Sequence, residues 1–303
     1  LNELADGFVD SQILANRLEI VQFRSVDLTT EVDELTLSAI GAAGDPGMIN
    51  IVNEGDLMLD GITSEIFSPV MISTTGDLNV FEAITTQEDG QYINLTATGG
   101  SVTVQERDGE VLATSVADGT APITISAGDN IVLYTGLTAA NDVVTLDADG
   151  AIEDPTDAAT GTITATRLLI TDANNIGATD PANVENWQAN RYALDTVIDE
   201  LVIQGLEGQP GAAGEAYILE ADGLPVLIAD VEGDLNVATV LGDIGLGALN
   251  EEASITSSDG AVVLTAAGAI TVDSIDAALG RAALTAQGGD LMDRGGVSLV
   301  RAS

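Results

Sequence analysis

Gly76-Asp77-Leu78-Asn79-Val80 returns unchanged as Gly233-Asp234-Leu235-Asn236-Val237, and the chain around both copies repeats as well. Ile13-Leu14-Ala15-Asn16-Arg17-Leu18-Glu19-Ile20 matches Ile163-Thr164-Ala165-Thr166-Arg167-Leu168-Leu169-Ile170 at an offset of 150, and Val32-Asp33-Glu34-Leu35 matches Ile198-Asp199-Glu200-Leu201 at an offset of 166. The second offset exceeds the first, which puts one insertion between Ile170 and Tyr192. The pentapeptides lie 157 apart, so about nine residues are lost again somewhere after Leu201. The reading is two tandem modules, 1–162 and 163–303, with the insertion at 171–191, in one continuous rod.

Inside each module lies a finer period. Glycines close short apolar runs: Ile51-Val52 before Gly55, Val70-Met71-Ile72 before Gly76, Ile93-Asn94-Leu95-Thr96 before Gly99, Ile123-Thr124-Ile125 before Gly128, and Val143-Val144-Thr145-Leu146 before Gly150. From Gly55 to Gly76, Gly99, Gly128 and Gly150 the spacing stays in the twenties. Strands of four to six residues in which apolar positions alternate with Thr, Ser or Asn, at a period near twenty, predict the stacked coils of an all-β parallel β-solenoid. Composition agrees, because 45% of residues are hydrophobic and only 3% aromatic, and a narrow core between stacked coils has little room for rings. About 21 residues per coil and roughly 4.8 Å per coil predict about 14 coils and a rod of about 70 Å. Helical signals are confined to the insertion, where Asp180 before Pro181 is placed to cap one or two turns.

The chain carries 49 acidic residues against eight arginines, with no Lys, His or Cys, for a formal charge of −41. Nucleic acid and anionic membrane would be repelled and are excluded as expected partners. Missing Cys and His remove disulfides, thiolate zinc sites and Ser/His/Asp or Cys/His catalysis together. No basic segment precedes an apolar leader, and no run of 18 apolar residues occurs; the chain is expected to be part of something longer. The last readable coil, Ala282 to Asp290, is as regular as those inside, so neighbouring modules or copies stacked end to end are the expected partners.

Ala261-Val262-Val263-Leu264-Thr265-Ala266-Ala267-Gly268-Ala269-Ile270-Thr271-Val272 and Ala282-Ala283-Leu284-Thr285-Ala286-Gln287-Gly288-Gly289-Asp290-Leu291 resemble the repeats of filamentous-haemagglutinin-like adhesins, as does Ile93 to Val104. The resemblance covers most of the chain. It implies a right-handed parallel β-helix from a very large secreted or surface-anchored bacterial protein, located extracellularly or on the cell surface, and it transfers no functional residue.

Two constellations are candidates for a site. Asp147, Asp149, Glu153, Asp154 and Asp157 form a dense run of five carboxylates, oxygen-rich and suited to Ca²⁺, although its spacing is not that of an EF-hand and turn geometry alone selects Asp and Gly. Trp187, the single Trp, and Tyr192 sit in the insertion, where an aromatic pair can hold a glycan or protein partner or can cover an apolar strip of the rod. No cofactor is required by any of this.

The expectation is a non-enzymatic stalk, adhesin shaft or fibre subunit. One alternative is a self-assembling filament or surface-layer subunit. The other is a carbohydrate-active β-helix with two carboxyl groups about 5 to 9.5 Å apart in a lateral groove.

Overall fold

Strands whose Val, Ile and Leu alternate with Thr, Ser and Asn bury their apolar edge only by stacking on neighbours of the same pattern, and in the computed structural model they stack throughout. The structure describes residues 12–23, 25–40, 47–63, 69–81, 84–86, 91–105, 112–114, 121–155, 162–177, 193–206, 214–246, 255–293 and 299–302. Among the described residues there are 28 strands, numbered β1 to β28 along the chain, and no helix. Neighbouring strands pair in parallel, and the fold is an all-β parallel β-solenoid.

The first side of the rod is one ladder. It runs through β2 (Val26–Ile40), β3 (Ile49–Asn53), β5 (Val70–Thr74), β8 (Ile93–Ala97), β11 (Ile123–Ala127), β13 (Leu137–Ala148), β15 (Ile163–Asp172), β17 (Leu194–Leu206), β19 (Leu224–Val231), β22 (Ile255–Ser257), β25 (Ser274–Ala277) and β28 (Leu299–Ala302). A second side includes β4 (Leu57–Thr63), β6 (Leu78–Val80), β9 (Val102–Val104), β12 (Ile131–Leu133), β14 (Ala151–Glu153) and β16 (Asn175–Ile176), and continues through β18 (Ala216–Glu220), β20 (Leu235–Thr239), β23 (Val262–Ala266) and β26 (Ala282–Ala286). The third side starts with β7 (Thr85–Thr86) and β10 (Leu112–Thr114) and is then carried by the first halves of β13, β15 and β17, which run round the corner into the first side without a break. Further along, β21 (Ile244–Leu246), β24 (Ile270–Val272) and β27 (Leu291–Asp293) stack on β19.

Register places like on like. Ile49, Val70, Ile93, Ile123, Val144, Leu168, Leu201 and Leu227 form one inward column, and Ile51, Ile72, Leu95, Ile125, Leu146, Ile170, Ile203 and Ala229 form the next. All are buried. Each large aliphatic side chain contributes about 1.5–3 kcal/mol relative to exposure, so the rod is held by a line of small increments rather than by one central cluster.

The glycine period matches the ladder, but the coil count does not. The short steps from Ile49 to Val70 and from Val70 to Ile93 give way to longer ones from Ile93 to Ile123 and from Leu168 to Leu201. Coils that carry loops use up more chain, and the first ladder holds twelve strands among the described residues instead of the expected coils, about 14.

The long-range repeats acquire a structural meaning. β1 (Gln12–Phe23) lies on β2 with Arg17 opposite Glu34 and Leu18 opposite Leu35; β15 lies on β17 with Arg167 opposite Glu200 and Leu168 opposite Leu201. The second of these steps is the longer, and its excess over the first is the insertion inferred from the sequence offsets. The helical turns expected near Asp180 fall outside the described residues.

Candidate functional site

Corners between strands are where this chain concentrates polar chemistry. Asp56 Oδ1 accepts the backbone N–H of Asp77 at 2.9 Å, and Asp77 Oδ1 accepts that of Ser101 at 2.8 Å. The same bond recurs from Ala151 N–H to Asn130 Oδ1 at 2.7 Å, from Ala261 to Asp234 at 2.6 Å and from Ala269 to Asp243 at 2.6 Å. In each case the residue before the donating amide is a glycine: Gly76, Gly100, Gly150, Gly260 and Gly268. A Cβ on four of these would collide with the accepting oxygen itself, and on Gly260 with the backbone of Gly233. An Asp or Asn at one corner therefore demands a glycine at the corner of the next coil. Both pentapeptide copies contribute this device, through Asp77 and Asp234.

The described part of the acidic run expected to suit Ca²⁺ is spread over two successive strands of one coil and the turn between them. Asp147 is half-buried near the end of β13, Asp149 is exposed in the following turn, Glu153 is exposed at the end of β14, and Asp154 is buried beyond it. No group of three or more potential metal ligands occurs among the described residues. Asp157, Trp187 and Tyr192 lie outside the described residues.

A pair of buried polar corners was not anticipated from the sequence. In the first, Asn53 ends β3 directly above Thr30 of β2 and below Thr74 of β5. Its Oδ1 accepts from Thr30 Oγ1 at 2.8 Å and from Val32 N–H at 2.9 Å. Its Nδ2 donates to the carbonyls of Val32, Asp56 and Glu54 at 3.2, 3.1 and 3.3 Å. The carboxamide is fully buried and fully engaged, as a buried polar group must be.

The second corner repeats the first with a different side chain. Glu220 ends β18 between Thr196 of β17 and Thr239 of β20. Its Oε2 accepts from Thr196 Oγ1 at 2.6 Å, both carboxyl oxygens approach Ile198 N–H at 3.2 and 3.3 Å, and Oε1 receives Asp222 N–H at 3.4 Å. Matching backbone bonds flank both: Glu54 N–H to Thr30 O and Ala221 N–H to Thr196 O, then Thr75 N–H to Asn53 O and Val240 N–H to Glu220 O. Thr30, Val32 and Leu35 thus correspond to Thr196, Ile198 and Leu201, and Asn53 corresponds to Glu220.

A carboxyl in a carboxamide's place has a predictable electrostatic fate. Glu220 is fully buried, and burial, the largest influence, pushes its pKa up to about 8; the Thr196 hydroxyl pulls the other way. Asp222, exposed in the next turn, is held below the usual carboxylate range by its hydrogen bond with Glu220 and by Gly223 N–H, 2.7 Å from its Oδ1. One protonated and one ionised carboxyl therefore share the corner. Glu220 has no accessible surface in this conformation, so its proton is held inside the wall.

The wall around Glu220 is also thicker than that around Asn53. Tyr217 and Ala238, on the outer faces of β18 and β20, are buried with Ala193 against half-buried Leu219 in a second small cluster, and Tyr217 donates its hydroxyl to Glu215 at 3.1 Å. Outer positions of β3 and β5 remain exposed or half-buried.

Comparison with known proteins gives this chain no relative: no protein-family model matches it, nor does any curated protein or solved structure.

Proposed function

We propose that the chain is a non-enzymatic structural rod, a stalk or adhesin shaft of a repetitive extracellular bacterial protein of the filamentous-haemagglutinin-like kind. The observation that carries this reading is the use made of the polar corners. Asp56, Asp77, Asn130, Asp234 and Asp243 link one coil to the next, and Glu220, the carboxyl most displaced from its ordinary pKa, is closed off inside the wall. Chemistry that would serve a substrate elsewhere serves stacking here. The absence of Lys, His and Cys, and the charge of −41, suit a surface-exposed shaft that repels nucleic acid and anionic lipid. Ca²⁺ remains a counter-ion of the acidic surface in this reading and not a cofactor.

End-to-end stacking of neighbouring modules or copies belongs to the same reading, because register that places like on like lets one coil continue the ladder of another.

The test is twofold. Electron microscopy of the purified chain should show uniform narrow rods, and incubation with a panel of polysaccharides should release no reducing ends; sustained cleavage that vanishes on substitution of one Asp or Glu would establish the carbohydrate-active alternative.

A further inference from the structure

We propose that the Glu220 corner is a proton-gated joint: it stays closed while Glu220 carries a proton and opens locally when that proton leaves, whereas the equivalent Asn53 corner stays closed at any pH. This goes beyond the rod reading and holds whether the rod is a stalk or a filament.

The geometry is that of one device built twice. Both corners join three successive strands, threonine below and threonine above, and both place a side chain that must accept from a Thr hydroxyl and a backbone N–H. Asn53 supplies an acceptor oxygen and a donor NH₂ in the same group, and the donor satisfies three carbonyls. Glu220 accepts from Thr196 Oγ1, Ile198 N–H and Asp222 N–H, and only its neutral form also has a proton to donate, for which the Asp222 carboxylate is the acceptor.

The charged surroundings give an ionised Glu220 no compensation. On β18 itself, Glu215 is engaged by Tyr217. On β17, Asp195 and Asp199 lie at the half-buried and exposed outer positions, while Glu200 is paired with Arg167 at 3.3 Å. β20 presents uncharged Thr239. In the adjoining turns Asp243 accepts the amide of Ala269, and Asp222 is the charged neighbour that acts directly on Glu220, by hydrogen bond and by repulsion. Each of these acids has the sign of an ionised Glu220. Losing the proton thus sets a second negative charge against Asp222 inside a buried wall, and the relief available is to separate β18 from β17 and β20 at this corner.

The pKa of about 8 sets the window. Because the folded value lies above the ordinary glutamate value of 4.5, the closed corner is fully favoured below about pH 4.5 and loses its advantage as pH rises towards about 8. The joint is therefore tight in acid and loose in mild alkali.

Hydrogen exchange on the intact chain reads this directly, because the two corners carry matched amides. Protection of Ala221 and Val240, corrected for the intrinsic pH dependence of exchange, should fall on the order of tenfold or more between about pH 5 and pH 8.5, while Glu54 and Thr75 change little. Glu220→Gln restores an Asn-like group and should abolish that fall. Equal pH responses at the two corners, or an unchanged response in Glu220→Gln, would overturn the proposal. Should the variant not fold, carboxyl carbon NMR of the unmodified chain decides: one glutamate titrating well above the others, with its titration mirrored in the Ala221 and Val240 amides, supports the joint, and a Glu220 that titrates with the surface glutamates refutes it.

Discussion

The corner at Asn53 and the corner at Glu220 have equivalent strands, equivalent threonines and matching backbone bonds, and differ chiefly in the group at their centre. What the difference teaches is that a solenoid tolerates a buried polar side chain wherever its donors and acceptors match the corner, and that the match is set by protonation state as much as by residue type. Asn53 meets the requirement permanently. Glu220 meets it conditionally, and its complete burial beside Asp222 is what makes the condition severe, since removing water raises the cost of charge.

The largest effect is expected from making the first corner resemble the second. Asn53→Asp places a carboxyl against the carbonyls of Val32, Glu54 and Asp56. Ionised, one oxygen keeps the donors Thr30 Oγ1 and Val32 N–H while the other faces three carbonyls with nothing to donate, and the cost should reach about 3 kcal/mol or more at neutral pH. The folded-state pKa of the new group must lie above its unfolded value, so the lost stability returns on acidification through that range. Thermal melting at about pH 4 and pH 7 checks the sign; a variant equally unstable at both would mean that shape, not charge, governs the corner.

Removing the lower threonine separates the corners by a smaller margin. Thr30→Val deletes a hydroxyl that serves a neutral carboxamide at 2.8 Å and should cost about 1 kcal/mol at any pH. Thr196→Val deletes one that serves Glu220 at 2.6 Å. Above about pH 8, where Glu220 is ionised and the corner opens, that bond is already lost in the intact chain and the cost of the substitution should fall towards zero. Equal costs in acid that diverge in alkali are the expected pattern, read by denaturant titration at both ends of the range.

The corner glycines supply the control, because there the two modules are alike. Gly76→Ala in the first module and Gly268→Ala in the second both drive a methyl into the accepting oxygen of the coil below, Asp56 and Asp243 respectively. Each should cost about 1–3 kcal/mol. In the double variant Asp56→Ala/Gly76→Ala the collision with the carboxylate is gone and only the close approach to the backbone of Gly55 and Asp56 at 2.9 Å remains, so the two changes should be clearly non-additive. Additive costs there would show that the glycine answers to backbone conformation and not to its neighbour's carboxylate.

How much of this was legible in the sequence depends on what each signal encodes. Strand alternation and glycine spacing encode the stacking itself, and the ladder from Ile49 to Val144 keeps the predicted steps to within about a residue. Coil number was misjudged because a loop adds chain without adding a level. Pairing of Arg17 with Glu34 and of Arg167 with Glu200 was latent in the two unequal offsets, since segments repeating at different distances can pair identically in both modules only if the intervening loop absorbs the difference. The Asp-to-Gly corner rule was also present, as an Asp or Asn followed one coil later by glycine, but its five instances come at unequal steps and are recognisable only once register is known. Glu220 could not be singled out: among 49 acids nothing local distinguishes the one that occupies the place of Asn53, because that equivalence is set by the strand above and the strand below.

The smallest effect is expected at the duplicated ion pairs, where the modules should differ least. Arg17 Nε lies 3.3 Å from Glu34, and Arg167 Nη2 lies 3.3 Å from Glu200, with the arginines 56% and 38% exposed. Pairs so open to solvent contribute about 0.2–1 kcal/mol and weaken as salt rises. The rest of the surface responds oppositely: at −41, with successive coils closer than the Debye length of about 8 Å, repulsion along the rod is relieved by salt. Adding NaCl should therefore raise the melting temperature of the intact chain. Arg17→Gln and Arg167→Gln, each less stable at low salt, should converge on the intact chain as salt screens both the lost pair and the extra net negative charge. If either arginine variant instead falls further behind in high salt, its guanidinium stem is packing against the coil below, and the two pairs must be counted as part of the core rather than as surface charges.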